Sequence, residues 1–331
     1  MQKRALGRTG LKVTEIGFGG IPIQRLSEEE AIKVVRAAFD SGINFFDTAR
    51  AYDTSEHRMG LALKDARNEC VLATKGMVTT KEEAERDFKT SLKELNVKKV
   101  DLYQVHNVGD KRRLDGILGK GGALEAAKKA RKKGLTDFIG ITGHVPHLLK
   151  EAIETGEFDT VQVPFNIVEQ QSAELIRLAK KLNVGVIIMK PFAGGALTDS
   201  NSIKFILEQP ISTVIPGMES EKQIRENISM TEAMLTEEEK KKLVNESEKI
   251  ERTLCRRCGY CMPCPAGINI VMVNTFNRMH EWMNMKDVAK RKYAALPVKA
   301  DACTECRQCE QKCPYRLPVA EMMKKAHKNL G

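Results

Sequence analysis

The chain has 331 residues, 42% of them hydrophobic and 30% charged, with apolar residues spread along its whole length. That composition excludes a disordered or fibrous protein. The longest apolar stretches, such as 184–189, are about a third of the roughly 20 residues a membrane-spanning helix needs, so no membrane insertion is expected. The opening Met1-Gln-Lys-Arg-Ala-Leu-Gly has no apolar segment behind its charges, so a cytoplasmic protein without a secretory signal is expected.

Charge and cysteine are unevenly placed. The net charge is +10, and residues 251–331 carry 15 basic and 7 acidic side chains, or +8, leaving 39 and 37 for residues 1–250. Eight of the nine Cys also fall in that last stretch, with only Cys70 outside it. Two domains of different chemistry are the simplest reading, with residues 1–235 as the first, 236–252 as a linking helix that opens Thr-Glu-Glu-Glu, and 253–331 as the second.

A leading segment, 3–6 then Thr9-Gly10 then 12–14, predicts a β-hairpin. Short β-branched runs follow at 15–18, 44–47, 70–75, 100–106, 137–142, 159–162, 185–190 and 212–215. Amphipathic segments separate them, among them 27–41, 81–95, 122–133, 145–155 and 169–182; the first opens on Ser27-Glu-Glu-Glu30, a capping box. Eight strand–helix units in this length predict an α/β fold, a (β/α)8 barrel in preference to a doubly wound sheet. The helical segment around His57 reads as surface.

Polar residues stand where these strands end: Asp47, Lys75, His106, Thr142, Gln162 and Lys190. A parallel barrel gathers all its strand C-termini on one face, where active sites assemble. Any one of these residues could simply cap a helix or hold a loop, but six at six strand ends form a pattern. Tyr52 follows in Asp47-Thr-Ala-Arg-Ala-Tyr52. A free tyrosine titrates near 10, too high for an efficient proton donor at neutral pH. A neighbouring ammonium, such as Lys75 held by Asp47, would lower that value and leave His106 to hydrogen-bond a substrate oxygen. The set suits protonation of a carbonyl oxygen as hydride reaches its carbon, or the reverse.

Across roughly residues 1–235 the chain resembles the aldo-keto reductase superfamily. The resemblance rests on Leu6-Gly-Arg-Thr-Gly-Leu11, Phe46-Asp-Thr-Ala49 with Tyr52, Ala73-Thr-Lys75, Val105-His-Asn107, and Ile215-Pro-Gly-Met-Glu-Ser220 with Glu226-Asn227. It implies a barrel with an N-terminal hairpin, an Asp47–Tyr52–Lys75–His106 tetrad, and NAD(P)H-linked carbonyl reduction or alcohol oxidation with Tyr52 as the acid. It also implies cofactor contacts at Thr142, Gln162, Gly217, Ser220, Gln223 and Asn227, to which Lys190 at its strand end and Gly194 add two further candidates. Three departures stand out. Thr142-Gly143-His144 replaces a Ser-Asn pair. Met189 replaces an aromatic that stacks on the nicotinamide. Gly217 and Gln223 stand where many relatives place cations against a 2′-phosphate. NAD, NADP and a flavin are therefore all left open, although the helix opening near Ser220 still offers N–H groups to a phosphate.

The last 80 residues or so hold two cysteine rows. The first is Cys255-Arg-Arg-Cys258-Gly-Tyr-Cys261-Met-Pro-Cys264-Pro265; the second is Cys303-Thr-Glu-Cys306-Arg-Gln-Cys309-Glu-Gln-Lys-Cys313-Pro314. Both continue with an apolar pair, Ile268-Asn-Ile270 and Leu317-Pro-Val319, so the rows are an internal repeat. Disulfides are disfavoured in a cytosolic chain, and zinc usually takes cysteine pairs across a longer loop, so the spacing favours two [4Fe–4S] clusters. The likeness to two-cluster ferredoxins implies that Cys255, Cys258, Cys261 and Cys313 hold one cluster, and Cys264, Cys303, Cys306 and Cys309 the other, although the first row is one residue short before its fourth cysteine. Apolar residues at helical spacing between the rows (Val271, Phe276, Met279, Trp282, Met283) resemble the helical ferredoxin modules of respiratory dehydrogenases. Two clusters of about −2 each when oxidised would offset part of the local +8. No aromatic-interleaved basic patch points to nucleic acid.

Cys70 reads as inert core. Of the histidines outside the tetrad, only His144, at a strand end, suggests an active-site role. Gly194-Gly195 could let backbone approach a pyrophosphate. Three functional readings remain. In the preferred one, a nicotinamide-dependent barrel acts on a small carbonyl or alcohol, and the clusters are structural or dock a partner. In the second, the clusters relay electrons between a ferredoxin-like carrier and a flavin or radical site in the barrel. In the third, the protein is an electron-transfer or sensing module whose barrel is inactive; the intact tetrad speaks against it.

Overall fold

A β-hairpin opens the computed structural model, which describes residues 1–331. Strands β1 (Lys3–Ala5) and β2 (Lys12–Thr14) pair antiparallel, Lys3 opposite Thr14. Gly7 in the connecting turn has φ +54°, and a Cβ there would lie 2.2 Å from the backbone nitrogen of Gly185. The turn thus sits directly on a later strand, and only glycine allows the approach.

Eight more strands follow: β3 (Phe18–Gly19), β4 (Phe45–Asp47), β5 (Val71–Gly76), β6 (Val100–Val108), β7 (Thr136–Gly143), β8 (Thr160–Pro164), β9 (Gly185–Met189) and β10 (Thr213–Ile215). They pair in parallel, each with the next in chain order. The first and last meet as well. Gly17 N donates to Val214 O at 2.8 Å, Gly19 N to Pro216 O at 2.9 Å, and Val214 N to Glu15 O at 2.9 Å. The sheet closes into the expected barrel. The strand expected at 15–18 shortens to Phe18–Gly19, because residues 15–17 reach their neighbour through isolated bridges and not a regular ladder.

Helices α1 (Glu28–Asp40), α2 (Ser55–Leu63), α3 (Lys81–Glu94), α4 (Lys111–Leu118), α5 (Ala123–Lys132), α6 (Pro146–Glu154), α7 (Ala173–Lys181), α8 (Asn201–Leu207) and α9 (Glu221–Ser229) alternate with the strands. Ser27 and Glu30 form the expected capping box, and α1 buries Ala31, Val34, Val35 and Ala38 at helical spacing.

The period of two along each strand decides what fills the barrel. Phe45, Val71, Ala73, Leu102, Ile187 and Ile215 form one apolar cluster with Leu6 and Val13 of the hairpin. One step further along the same faces stand Asp47, Lys75 and Gln104, all buried. The interior therefore turns from apolar to polar towards the strand C-termini.

Two compact units divide the chain: Met1–Pro191 with Ser200–Lys240, and Phe192–Asp199 with Lys241–Gly331. Residues Glu237–Glu251 form helix α10, whose first residues belong to one unit and the remainder to the other. In the second unit α11 (Ile270–Glu281), α12 (Lys286–Ala294), α13 (Gln308–Lys312) and α14 (Val319–Leu330) surround a core that includes Ile268, Ile270, Val273, Phe276, Leu317, Val319 and Met323. The apolar pair after each cysteine row thus enters the core as it leads into a helix, α11 after the first row and α14 after the second. The segment Phe192–Asp199 is fastened within this unit by Glu246, whose carboxylate accepts from Thr198 N and Oγ1, both at 2.7 Å. No helix is long and apolar enough to cross a membrane.

Candidate active site and cysteine cavities

Asp47 ends β4, Lys75 stands one residue before the end of β5, and His106 two before the end of β6. Lys75 Nζ donates to Asp47 Oδ2 at 2.5 Å and to the Thr48 carbonyl at 2.6 Å. It lies 5.0 Å from the centre of the Tyr52 ring. The rings of Tyr52 and His106 meet edge to face, centroids 5.9 Å apart. All four tetrad positions thus come together at the C-terminal end of the barrel.

Burial sets the electrostatics. It pulls the Lys75 ammonium down, but Asp47 and Tyr52 outweigh it, and Lys75 titrates above its ordinary value and stays charged. Burial also pushes Asp47 up, against the opposing pull of Lys75, Gln104 and Gln162. For His106, burial, Lys75 and Arg113 all act downwards and hold it well below 6.5, so the imidazole is neutral at physiological pH. Tyr52 differs from the sequence expectation. Lys75 does lower it, but burial acts more strongly and the hydroxyl titrates above its ordinary 10. The phenol is held as a protonated acid, because the site removes water from it at the same time as it supplies the cation.

Sequence reasoning missed Gln104. Its Nε2 donates to Asp47 Oδ1 at 2.9 Å and fixes the carboxylate from the side opposite Lys75. Gly140 on the adjacent strand makes room, since a Cβ there would lie 2.9 Å from Gln104 Cγ. The available signal was its spacing, two residues before His106 on the same face of β6. Glu56 of α2 was missed too: wholly buried, it accepts from Thr74 Oγ1 at 2.6 Å and pairs with Arg50.

The expected cofactor contacts divide into groups. Thr142 and Gln162 are paired across β7 and β8 and are buried. Thr142 Oγ1 accepts from Asn107 N at 3.0 Å, while Gln162 Oε1 is buried without a partner. Lys190 follows β9 with φ +59°, and its Nζ lies 2.8 Å from Nε2 of His144. Ser220 caps α9 by accepting from Gln223 N at 3.3 Å, the Gln223 side chain accepts from Glu219 N at 2.8 Å, and Asn227 is buried on the same helix. Gly217 packs on Pro22, where a Cβ would approach to 2.5 Å. Gly194 stands apart from the others. It belongs to the second unit, where it and Gly195 leave room for Arg278 and for the Trp282 carbonyl, a packing reason for a glycine pair read from sequence as a pyrophosphate approach. Cys70 is buried, its thiol pushed up to about 11 by desolvation, as befits a core residue.

In the second unit the eight remaining cysteines line two cavities. One is lined by Cys255, Cys258, Cys261 and Cys313, with Ile270, Tyr315 and Leu317 among its walls. The other is lined by Cys264, Cys303, Cys306 and Cys309, with Ile268, Ile270 and Met323. Each cavity draws three cysteines from one row and one from the other. Four cysteines border each space, a donor set that suits a polynuclear group. Burial raises the thiols of Cys255, Cys258 and Cys309, and that of Cys261 to about 12.

Comparison with known proteins finds two family models along the chain. The aldo/keto reductase family model matches residues 15–203, and that of a 4Fe-4S dicluster domain matches residues 254–317. L-galactose dehydrogenase of Arabidopsis thaliana is 28% identical over 282 residues, 69% of this chain and 88% of that protein. Pyridoxal 4-dehydrogenase of Microbacterium luteolum is 27% identical over 246 residues, 59% of this chain and 72% of that protein. Among solved structures, the holo form of an aldo-keto reductase from Bacillus halodurans shares the fold with a TM-score of 0.66 at 24% identity, covering 74% of this chain and 96% of that one.

Proposed function

The chain belongs to the aldo/keto reductase family and adds a 4Fe-4S dicluster domain to its barrel, and from that premise we propose that it reduces a small carbonyl compound, or oxidises the matching alcohol, with a nicotinamide cofactor. The observation that carries the reading is the buried Lys75–Asp47 pair, its ammonium 5.0 Å from the centre of the Tyr52 ring, beside a neutral His106.

When bound, the nicotinamide supplies the hydride for reduction and accepts it for oxidation. The residues of the chain handle the proton and the oxygen. Tyr52, held protonated, gives its proton to the substrate oxygen as the carbonyl carbon is reduced. The phenolate left behind is stabilised by the Lys75 ammonium, which Asp47 and the Thr48 carbonyl keep in place. His106, neutral, donates a ring N–H to the same oxygen and orients it. In oxidation each transfer reverses. Gln162 Oε1, buried and unpartnered, fits an amide N–H of the cofactor. The N-terminus of α9 behind Ser220 fits a phosphate. Thr142, Gly217, Gln223 and Asn227 complete the contacts carried by the family pattern, and Lys190 and Gly194 are further candidates.

We assign one [4Fe–4S] cluster to Cys255, Cys258, Cys261 and Cys313 and the other to Cys264, Cys303, Cys306 and Cys309. The grouping of the eight side chains around two separate cavities supports this. Their role on this reading is to hold the second unit together or to dock a partner. An anaerobic titration with NADH and then NADPH tests it, cluster absorbance and low-temperature EPR being followed after a check for bound flavin. Clusters that stay oxidised while an added aldehyde consumes the nicotinamide fit a self-contained reductase. Clusters reduced by the nicotinamide would replace this reading with an electron relay.

A further inference from the structure

The two cysteine cavities differ in the charge around them. Beside the first stands Arg278 of α11, only 7% exposed, whose Nη2 donates to the carbonyl of Cys255 at 2.9 Å. Its Nη1 is buried without a hydrogen-bond partner, and no carboxylate pairs with it. Its guanidinium lies 5.7 Å from the centre of the Trp282 ring, and the missing side chain of Gly194 leaves room for its Cδ. A second buried guanidinium, Arg256, forms part of the wall of the same cavity, 4.3 Å from the Tyr315 ring centre, but Glu251 offsets it at 3.5 Å. The other cavity has a single cation in its lining, Arg307, and both it and the ligand candidate Cys306 are exposed.

An unpaired buried cation is costly and persists where something nearby compensates it. A [4Fe–4S] group with four thiolates is such a partner, carrying about −2 oxidised and about −3 once it has taken one electron from an external donor. A fixed positive charge in a poorly solvated wall favours the more negative state, and water screens the same charge at an exposed site. We propose that Arg278 is a positioning residue that raises the reduction potential of the group held by Cys255, Cys258, Cys261 and Cys313 above that of the group held by Cys264, Cys303, Cys306 and Cys309. The proposal rests on the assignment of the eight cysteines to two clusters. It makes the first site the natural resting place of an electron, and the exposed second site the point of exchange with a one-electron donor or acceptor.

The test uses the full chain, reconstituted anaerobically, with iron and sulfide counted before an EPR-monitored redox titration. About eight irons and two cluster signals establish the assignment itself, whatever the two potentials prove to be. In the wild type two waves are expected. Cys306→Ser should alter or remove the lower one and leave the upper in place; loss of the upper wave instead overturns the proposal, and does so without touching Arg278. Arg278→Gln should then move the upper wave to lower potential with the lower wave unmoved, and Arg278→Lys should recover part of that shift. A purely structural arginine would leave a loaded Arg278→Gln protein with both waves at their wild-type positions, and that result also overturns it.

Discussion

Lys75 Nζ and Asp47 Oδ2 meet at 2.5 Å in the barrel interior, neither side chain more than 2% exposed. A pair so completely removed from water is held by what surrounds it: Gln104 on the second carboxylate oxygen, the Thr48 carbonyl on the ammonium, and the Tyr52 ring 5.0 Å from that ammonium. The cation that serves the tyrosine is thereby fixed before any substrate arrives.

Lys75→Met should therefore damage the fold as well as the chemistry. Removing one member of a buried pair typically costs about 3–5 kcal/mol, because the remaining charge has no solvent to turn to. Thermal unfolding should show a lower Tm than wild type, and the double variant with Asp47→Asn should recover stability without recovering turnover. A Lys75→Met protein as stable as wild type would show that the pair is not what holds this layer.

Tyr52→Phe separates binding from proton transfer. Carbonyl reduction should fall by about 10²–10⁴-fold, the range for losing a positioned general acid, while nicotinamide affinity, read by fluorescence quenching, stays within a few-fold. His106→Gln should retain more activity, since an amide N–H can still hold the substrate oxygen. Equal turnover in Tyr52→Phe and wild type would remove tyrosine from the mechanism.

His106 makes a pH prediction of definite sign. Its folded value lies well below 6.5, so between 6.5 and that lower value the unfolded chain binds a proton that the folded chain refuses. Its contribution to stability is complete above about 6.5 and declines as pH falls through that window. Chemical denaturation of wild type and His106→Gln at several pH values between about 5 and 7 should show a shallower decline in the variant. Parallel curves would mean that His106 is not held neutral.

Cys258→Ser and Cys306→Ser address different cavities. Each should cost up to about four irons per chain and leave the other cluster's EPR signal intact. Loss of both signals from either single variant would mean that the two groups assemble as one unit.

Gly195 has φ +96°, and a Cβ there would lie 2.5 Å from the Trp282 carbonyl. Gly195→Ala should destabilise the second unit by about 1–3 kcal/mol. It should leave the hydrogen-exchange protection of the barrel strands unchanged. A neutral substitution would show that Phe192–Asp199 is free to move away from Trp282.

Much of this protein is legible along the chain because the signals are local. An apolar run that ends on Asp47, Lys75 or His106 announces a strand whose tip is polar, and a closed parallel barrel leaves those tips no choice but one face. The cysteine rows are equally local, since three-residue steps are what lets neighbouring thiolates reach one polynuclear group. What the tertiary structure alone decided depends on surroundings that no window of sequence contains. Tyr52 has its cation, yet burial outweighs it and the hydroxyl titrates upwards. Gln104 becomes a partner of Asp47 only because Gly140 of the next strand leaves it space. Gly194, read as an approach for a pyrophosphate, leaves room for Arg278, which also reaches the carbonyl of Cys255. Periodicity places a residue on a face, whereas desolvation and charge depend on every chain segment packed against that face.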